Sequence, residues 1–162
     1  MRISLLLLSL LVAGSALAAG QVEVSMRPYS QLADAGNSRF DGERNLALLK
    51  SHLEALGQRL PDGQTLKVEL LDLDMAGTVK PTRNGQDLRV LKGAADWPTL
   101  TLRWTLSAGG RTLESRKERI SDMSYLMTPL RVSESGPLAY ELRLVDRWFA
   151  ERFGARSTAS IR

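Results

Sequence analysis

Val22-Glu23-Val24-Ser25-Met26 alternates apolar and polar side chains, the period of a strand with one covered face, and Pro28 ends it. Residues 29–42 are polar and glycine-containing and read as a loop. From Glu43 to Leu60 the period lengthens. Leu46, Leu49, Leu53, Leu56 and Leu60 form one helical stripe, with Asp41 as the expected N-cap and Pro61-Asp62-Gly63 as the stop. Alternation returns at Thr65–Leu70, where Leu66, Val68 and Leu70 share a face. Leu71 and Leu73 then switch parity, which predicts a β-bulge or a strand tip covered on both sides. Residues 75–95 carry Gly77, Pro81, Asn84-Gly85 and Gly93 and read as a long loop, with a short strand at Leu88–Leu91.

The clearest strand is Thr99–Leu106, whose even positions are all large and apolar and whose odd positions are Thr or Arg. Ala108-Gly109-Gly110 reads as a hairpin turn, and Arg111–Ile120 as a charged edge strand that resists pairing with other chains. After a loop over 121–137, a last helix starts at Pro137 and ends at Gly154, with Leu138, Leu142, Val145, Trp148 and Phe149 as its apolar face. The order β-α-β-(β)-β-β-α predicts an α+β fold: an antiparallel sheet of about four to five strands with two amphipathic helices packed on one face.

The first 18 residues change the picture of where this domain works. Arg2 supplies a positive start, Ile3–Val12 an apolar stretch, and Ala16-Leu17-Ala18 a small-x-small cleavage pattern, so a signal peptide cleaved after Ala18 is expected. The stretch is short for a membrane span, and no Cys follows it to carry a lipid anchor. From Gln21 onward no 18 consecutive residues are apolar, so no transmembrane segment is expected in the mature chain. The expected organisation is a signal peptide at 1–18, a single domain at 19–154 and a flexible tail at 155–162. Among 162 residues there is no Cys, so the fold dispenses with disulfides, which points to a bacterial periplasm as the compartment.

Charge is uneven. Residues 19–90 hold nine Lys/Arg against ten Asp/Glu, a net of −1, whereas residues 91–162 hold twelve against eight, a net of +4. The basic half reads either as a solvated face interlaced with acids or as a surface drawn to an envelope protein or an anionic envelope component. Its basic residues are not interleaved with exposed aromatics, so no nucleic-acid partner is expected.

Few chemistries remain open. Zero Cys excludes thiolate metal sites and cysteine nucleophiles, and a single histidine excludes any site needing two imidazoles. His52 falls on the flank of the first helix's stripe, a position for a partly covered structural histidine. None of the common phosphate-binding, zinc-hydrolase or nucleophile-elbow motifs occurs, and no cofactor is expected. Asp72 and Asp74, two apart on a strand, aim both carboxylates at one side; they either hold a divalent cation or accept loop N–H bonds where the strand ends. Trp104 and Trp148 fit core positions. Trp97 before Pro98, Tyr125 and Asp122 in the following loop, and Arg103 on the wet strand face are the candidate binding residues.

Several strings, in order, resemble a family of exported Gram-negative proteins catalogued as domain of unknown function 3016. They are Gly63–Leu66, Asp72–Gly77, Asp87–Leu91, Trp97-Pro98, Ser121–Leu126 and Asp146–Ala150. Arg147 stands where that family often has Asp, so no fixed acidic site is implied there. The resemblance implies an envelope location and one domain, and it carries no activity or catalytic residue. The expected function is therefore a non-enzymatic binding or accessory module; the alternative is a small carboxylate- or metal-dependent enzyme centred on Asp72 and Asp74.

Overall fold

The computed structural model describes residues 19–154; the expected signal peptide and tail lie outside them. The chain runs β1 (Gln21–Met26), α1 (Arg39–Ala55), β2 (Gln64–Asp74), β3 (Thr78–Pro81), β4 (Asp87–Val90), β5 (Thr99–Ala108), β6 (Arg111–Ser121) and α2 (Ala139–Phe153). Four strands form one sheet in the order β1-β2-β5-β6, and β3 and β4 form a separate two-stranded sheet. The fold is α+β, as the sequence predicts, but the main sheet is mixed rather than antiparallel. β1 runs parallel to β2, with Val22 opposite Leu66 and Val24 opposite Val68. The reason is topological. A helix of 17 residues lies between these strands, and a crossover of that length returns the chain in its original direction.

β2 and β5 build the floor of the core. Leu66, Val68, Leu70 and Leu73 meet Leu100, Leu102, Trp104 and Leu106, each at most 1% exposed. Each such burial contributes about 1.5–3 kcal/mol relative to exposure. The expected bulge is present: Leu70 faces Leu102 and Asp72 faces Thr101, so Leu71 is an extra residue. It restores Leu73 to the core side after the parity switch. A second irregularity leaves Leu113 unmatched between Leu106/Glu114 and Ser107/Thr112. The β5–β6 turn is Gly109-Gly110 with φ of 56° and 75°, the left-handed pair that a two-residue turn requires of its central residues.

Both helices contribute to one core cluster with these strand residues. In α1 the stripe runs as expected through Leu49 and Leu53, but the helix begins earlier, at Arg39, and ends before its apolar pattern does. Leu56 and Leu60 are buried beyond it, in and after a 3-10 turn over Leu56–Arg59. Its N-cap is Ser38 rather than Asp41. Ser38 Oγ accepts the Asp41 N–H at 3.1 Å and donates to Asp41 Oδ2 at 2.8 Å, so Asp41 is the acidic arm of the cap. In α2, Trp148, Phe149 and Phe153 pack together and reach Trp104, whose ring lies 5.2 Å from that of Phe153. The two helices are tied by His52 Nε2 and Asp146 Oδ1 at 2.8 Å. β6 is the charged edge strand that the sequence predicts, and its Glu118 accepts the Trp148 indole N–H at 3.0 Å. Among the described residues no helix is long and apolar enough to cross a membrane.

Candidate functional site

The parallel pair places the carboxyl ends of β1 and β2 side by side. After β1 the chain crosses this end before entering α1, and Asp34 is clipped to the tip of β2. Its N–H donates to Leu73 O at 2.8 Å and its carbonyl accepts Met75 N–H at 3.1 Å. The β3–β4 hairpin closes over the same end. The short strand that the sequence predicts at Leu88–Leu91 is β4, one residue earlier, whereas β3 reads as loop because it has four residues that are largely exposed and leave no alternation to detect.

Arg89 of β4 reaches inward from that hairpin. Its two terminal nitrogens donate to the two oxygens of Asp34, both at 2.9 Å, and also to Ala76 O at 3.2 Å and Asn37 Oδ1 at 3.1 Å. The side chains of Arg89 and Asp34 are only 15% and 23% exposed. This bidentate geometry holds the hairpin to the β1–α1 loop more firmly than an open surface pair would. Behind it lies Glu141, in the first turn of α2 and 1% exposed, with Oε1 accepting Ala76 N–H at 2.7 Å. Burial pushes its carboxyl above the usual range. The Ala76 bond and the Arg89 cation oppose that rise, and the Asp34 charge adds to it.

Asn45 completes the group from α1. It is 2% exposed, and its Nδ2 donates to Ala35 O at 2.9 Å and contacts Met75 Sδ at 3.5 Å. Its Oδ1 is buried with no donor among the described residues. Asn45 borders a cavity of about 240 Å³ whose other walls include Asn37, Asp41, Arg44, Met75 and Arg89. A site of this composition is equipped to hold a small polar solute by hydrogen bonds.

Of the residues singled out from the sequence, Asp74 is bridged to Asp34 beside this group and Asp72 caps the adjoining loop, whereas the others lie elsewhere. Asp72 and Asp74 do share one side of β2, as their spacing requires. Asp72 Oδ1 accepts Ala33 N–H at 2.9 Å and Leu73 N–H at 3.0 Å, the loop-capping role of the two readings. The Asp74 carboxyl is pushed up by desolvation and by the Asp34 and Asp72 charges, against the pull of Arg119 and Arg89. Among the described residues no group of three or more His, Cys, Asp or Glu side chains is placed to hold a metal ion.

Trp97-Pro98 and Asp122–Tyr125 are neighbours, joined by Asp122 N–H to Pro98 O at 3.3 Å. Trp97 is half-buried, whereas Tyr125 is wholly buried and offers no surface. Its ring stacks edge-on against Tyr140 at 4.9 Å and its hydroxyl accepts Gly93 N–H at 3.2 Å. Asp122 is turned to structure as well, taking Ser124 N–H at 3.1 Å and Arg147 at 3.2 Å. Arg103 lies apart on the sheet, paired with Glu69 at 2.5 Å.

Asn45 and Glu141 carry a sequence signal that a search for apolar stripes passes over. Each is a polar residue on the buried face of its helix, one turn before Leu49 and before Leu144-Val145 respectively. Asp34 and Arg89 meet only through tertiary packing, 55 residues apart, and local pattern holds no trace of that.

No curated protein and no solved structure matches this chain. The family described as protein of unknown function (DUF3016) matches residues 20–151, nearly the whole span from the first strand to the last turn of α2. That span contains every residue of the Asp34–Arg89–Asn45–Glu141 group, and the chain belongs to this family.

Proposed function

We propose that this protein is a non-enzymatic binding module of the Gram-negative periplasm, delivered there by cleavage after Ala18. In this reading it holds a small polar ligand bearing an N–H or O–H group in the cavity beside Asn45 and Arg89. The observation that carries the reading is Asn45, which borders the cavity and whose buried Oδ1 has no donor among the described residues. An unmet buried acceptor costs about 1–3 kcal/mol, and a ligand donor placed there recovers it. The frame supports the same reading. Arg89, locked between Asp34, Asn37 and Ala76, is a wall that need not rearrange on binding, and the carboxyl ends of parallel strands are where crevices for ligands form. The helices cover one sheet face, and the other, with Arg103, stays in water as framework.

Protein isolated from the periplasm and examined by native mass spectrometry is expected to retain a low-molecular-weight species. Free amino acids and monosaccharides at about 10 mM then identify its class by the rise in melting temperature. The variant Asn45→Leu is expected to lose both the retained species and the rise. A bare chain whose high-resolution crystal structure shows only a water on Asn45 Oδ1, with no compound raising the melting temperature, overturns the proposal. N-terminal sequencing of the exported form is expected to start at Ala19.

A further inference from the structure

The hydrogen-bonding roles around Asn45 narrow what its cavity can hold. The amide is oriented by its own contacts: Nδ2 donates to Ala35 O at 2.9 Å, which leaves Oδ1, an acceptor only, for whatever approaches. That side chain is 2% exposed, and Oδ1 has no donor among the described residues. Two guanidiniums, those of Arg44 and Arg89, share the cavity wall with the Asp41 carboxylate. Arg89 is fully engaged. Its four terminal N–H groups go to the two oxygens of Asp34, to Ala76 O and to Asn37 Oδ1, and Asp34 balances its charge. Arg44 differs. Among the described residues it gives one N–H, to Asp41 Oδ1 at 3.3 Å, so its charge is matched while donors remain free.

We infer that the cavity takes a small uncharged polyol or sugar, an inference that rests on the binding reading above and names its ligand class. Asn45 Oδ1 needs a donor, whereas Arg44 offers donors. A hydroxyl group both donates and accepts, so neighbouring hydroxyls on one carbon chain serve both residues. A carboxylate or phosphate only accepts and leaves Oδ1 unmet. An ammonium can donate to Oδ1, but it meets two guanidiniums whose acids, Asp34 and Asp41, are already paired. These two cations and two acids sum to zero, so an ion of either sign would give up its hydration for no opposite charge. Met75 and Pro137 supply the apolar part of the wall, against which the carbons of such a chain rest. At the ~30 Å³ that a water occupies in the liquid, a cavity of about 240 Å³ has room for roughly eight non-hydrogen atoms, the size of a four-carbon polyol.

The test is thermal melting of the purified protein with four compounds of similar size and different charge: erythritol, the anion erythronate, the cation threoninol and the zwitterion threonine, each at about 10 mM. With a Kd of about 1 mM, erythritol is expected to raise the melting temperature by about 3–5 °C, and the other three by less than about 1 °C. Asn45→Leu is expected to lose the erythritol shift. Asp41→Asn keeps an acceptor for the Ser38 hydroxyl and leaves Arg44 unmatched, so it is expected to gain a shift with erythronate that the parent lacks; a merely structural Asp41 would not produce one. A larger shift with any of the three charged compounds, abolished by Asn45→Leu, overturns the inference and leaves the binding reading standing. An erythritol shift that survives Asn45→Leu overturns it too, since the polyol then binds elsewhere. Silence of all four compounds also overturns it. Only if the periplasmic protein retains no species in native mass spectrometry as well does the binding reading fall with it.

Discussion

The floor of the core and the carboxyl end of the parallel pair are built from the same strands, yet they are held in opposite ways. Along β2 and β5, eight apolar side chains face the helices with almost no exposure, and their contribution is non-directional and spread over many contacts. At the tip of β2 the chain turns to polar groups. Asp34 and Arg89 pair directly, and Glu141 and Asn45 hold the neighbouring loop backbone, all by hydrogen bonds of fixed direction, with Asn45 Oδ1 given no donor among the described residues. In the first region a lost contact is shared among neighbours. In the second each group has few partners, so loss of one strands another. The lesson is that the apolar sheet secures the fold, tolerating one unmet donor of its own at Trp104 Nε1, and its end carries the directional polar contacts.

That contrast can be broken by two substitutions. Trp104→Ala removes the largest of the fully buried side chains and its edge contact with Phe153. A loss of about 4 kcal/mol is expected, seen as one cooperative transition at much lower denaturant concentration. Arg89→Ala leaves the Asp34 carboxylate without its cation and frees the β3–β4 hairpin from the β1–α1 loop. About 2 kcal/mol is expected, below the range for removing one partner of a fully buried pair because both side chains keep some contact with water. Its signature is different: amide hydrogen exchange should quicken first across residues 78–90 while β2 and β5 keep their protection. Equal acceleration everywhere would mean that the two regions form one cooperative unit, and the contrast would fall.

The same division governs what the sequence reveals. β5 can be read outright, because Leu100, Leu102, Trp104 and Leu106 recur with period two and their neighbours are Thr or Arg. The bulge at Leu71 follows from the break in parity after Leu70. Direction of pairing is a harder property. Nothing in Val22–Met26 by itself distinguishes a parallel from an antiparallel neighbour, and only the length of the intervening helix does. The Asp34–Arg89 pair lies beyond local reading altogether, since a salt bridge across 55 residues has no period. Asn45 and Glu141 lie between these cases. Their positions on buried helix faces follow from the stripes, but a stripe defined by leucines alone skips them. Tyr125 misleads for a physical reason: it sits in a loop, yet its ring and hydroxyl both find partners in the interior.

The smallest expected effect sharpens the comparison most, because its sign differs from that of ordinary acids in proteins. Glu141 has its carboxyl raised above the ordinary value of 4.5, chiefly by burial. A carboxyl with a higher pKa in the folded chain binds its proton more tightly there than in the unfolded chain. It therefore supports the fold most fully at low pH, and that support is lost as pH rises from about 4.5 through the folded value. Glu141→Gln preserves an acceptor for Ala76 N–H and removes the charge. The variant is expected to be as stable as the parent or more so at pH 7, by about 1 kcal/mol or less, and to flatten the parent's decline in stability above pH 4.5. Denaturant titrations of both chains between pH 4 and pH 8 measure this. A variant that loses stability at pH 7 would show that the carboxylate is a net support to the hairpin and the β2 tip. The polar end would then be held by its charge rather than tolerated by the core.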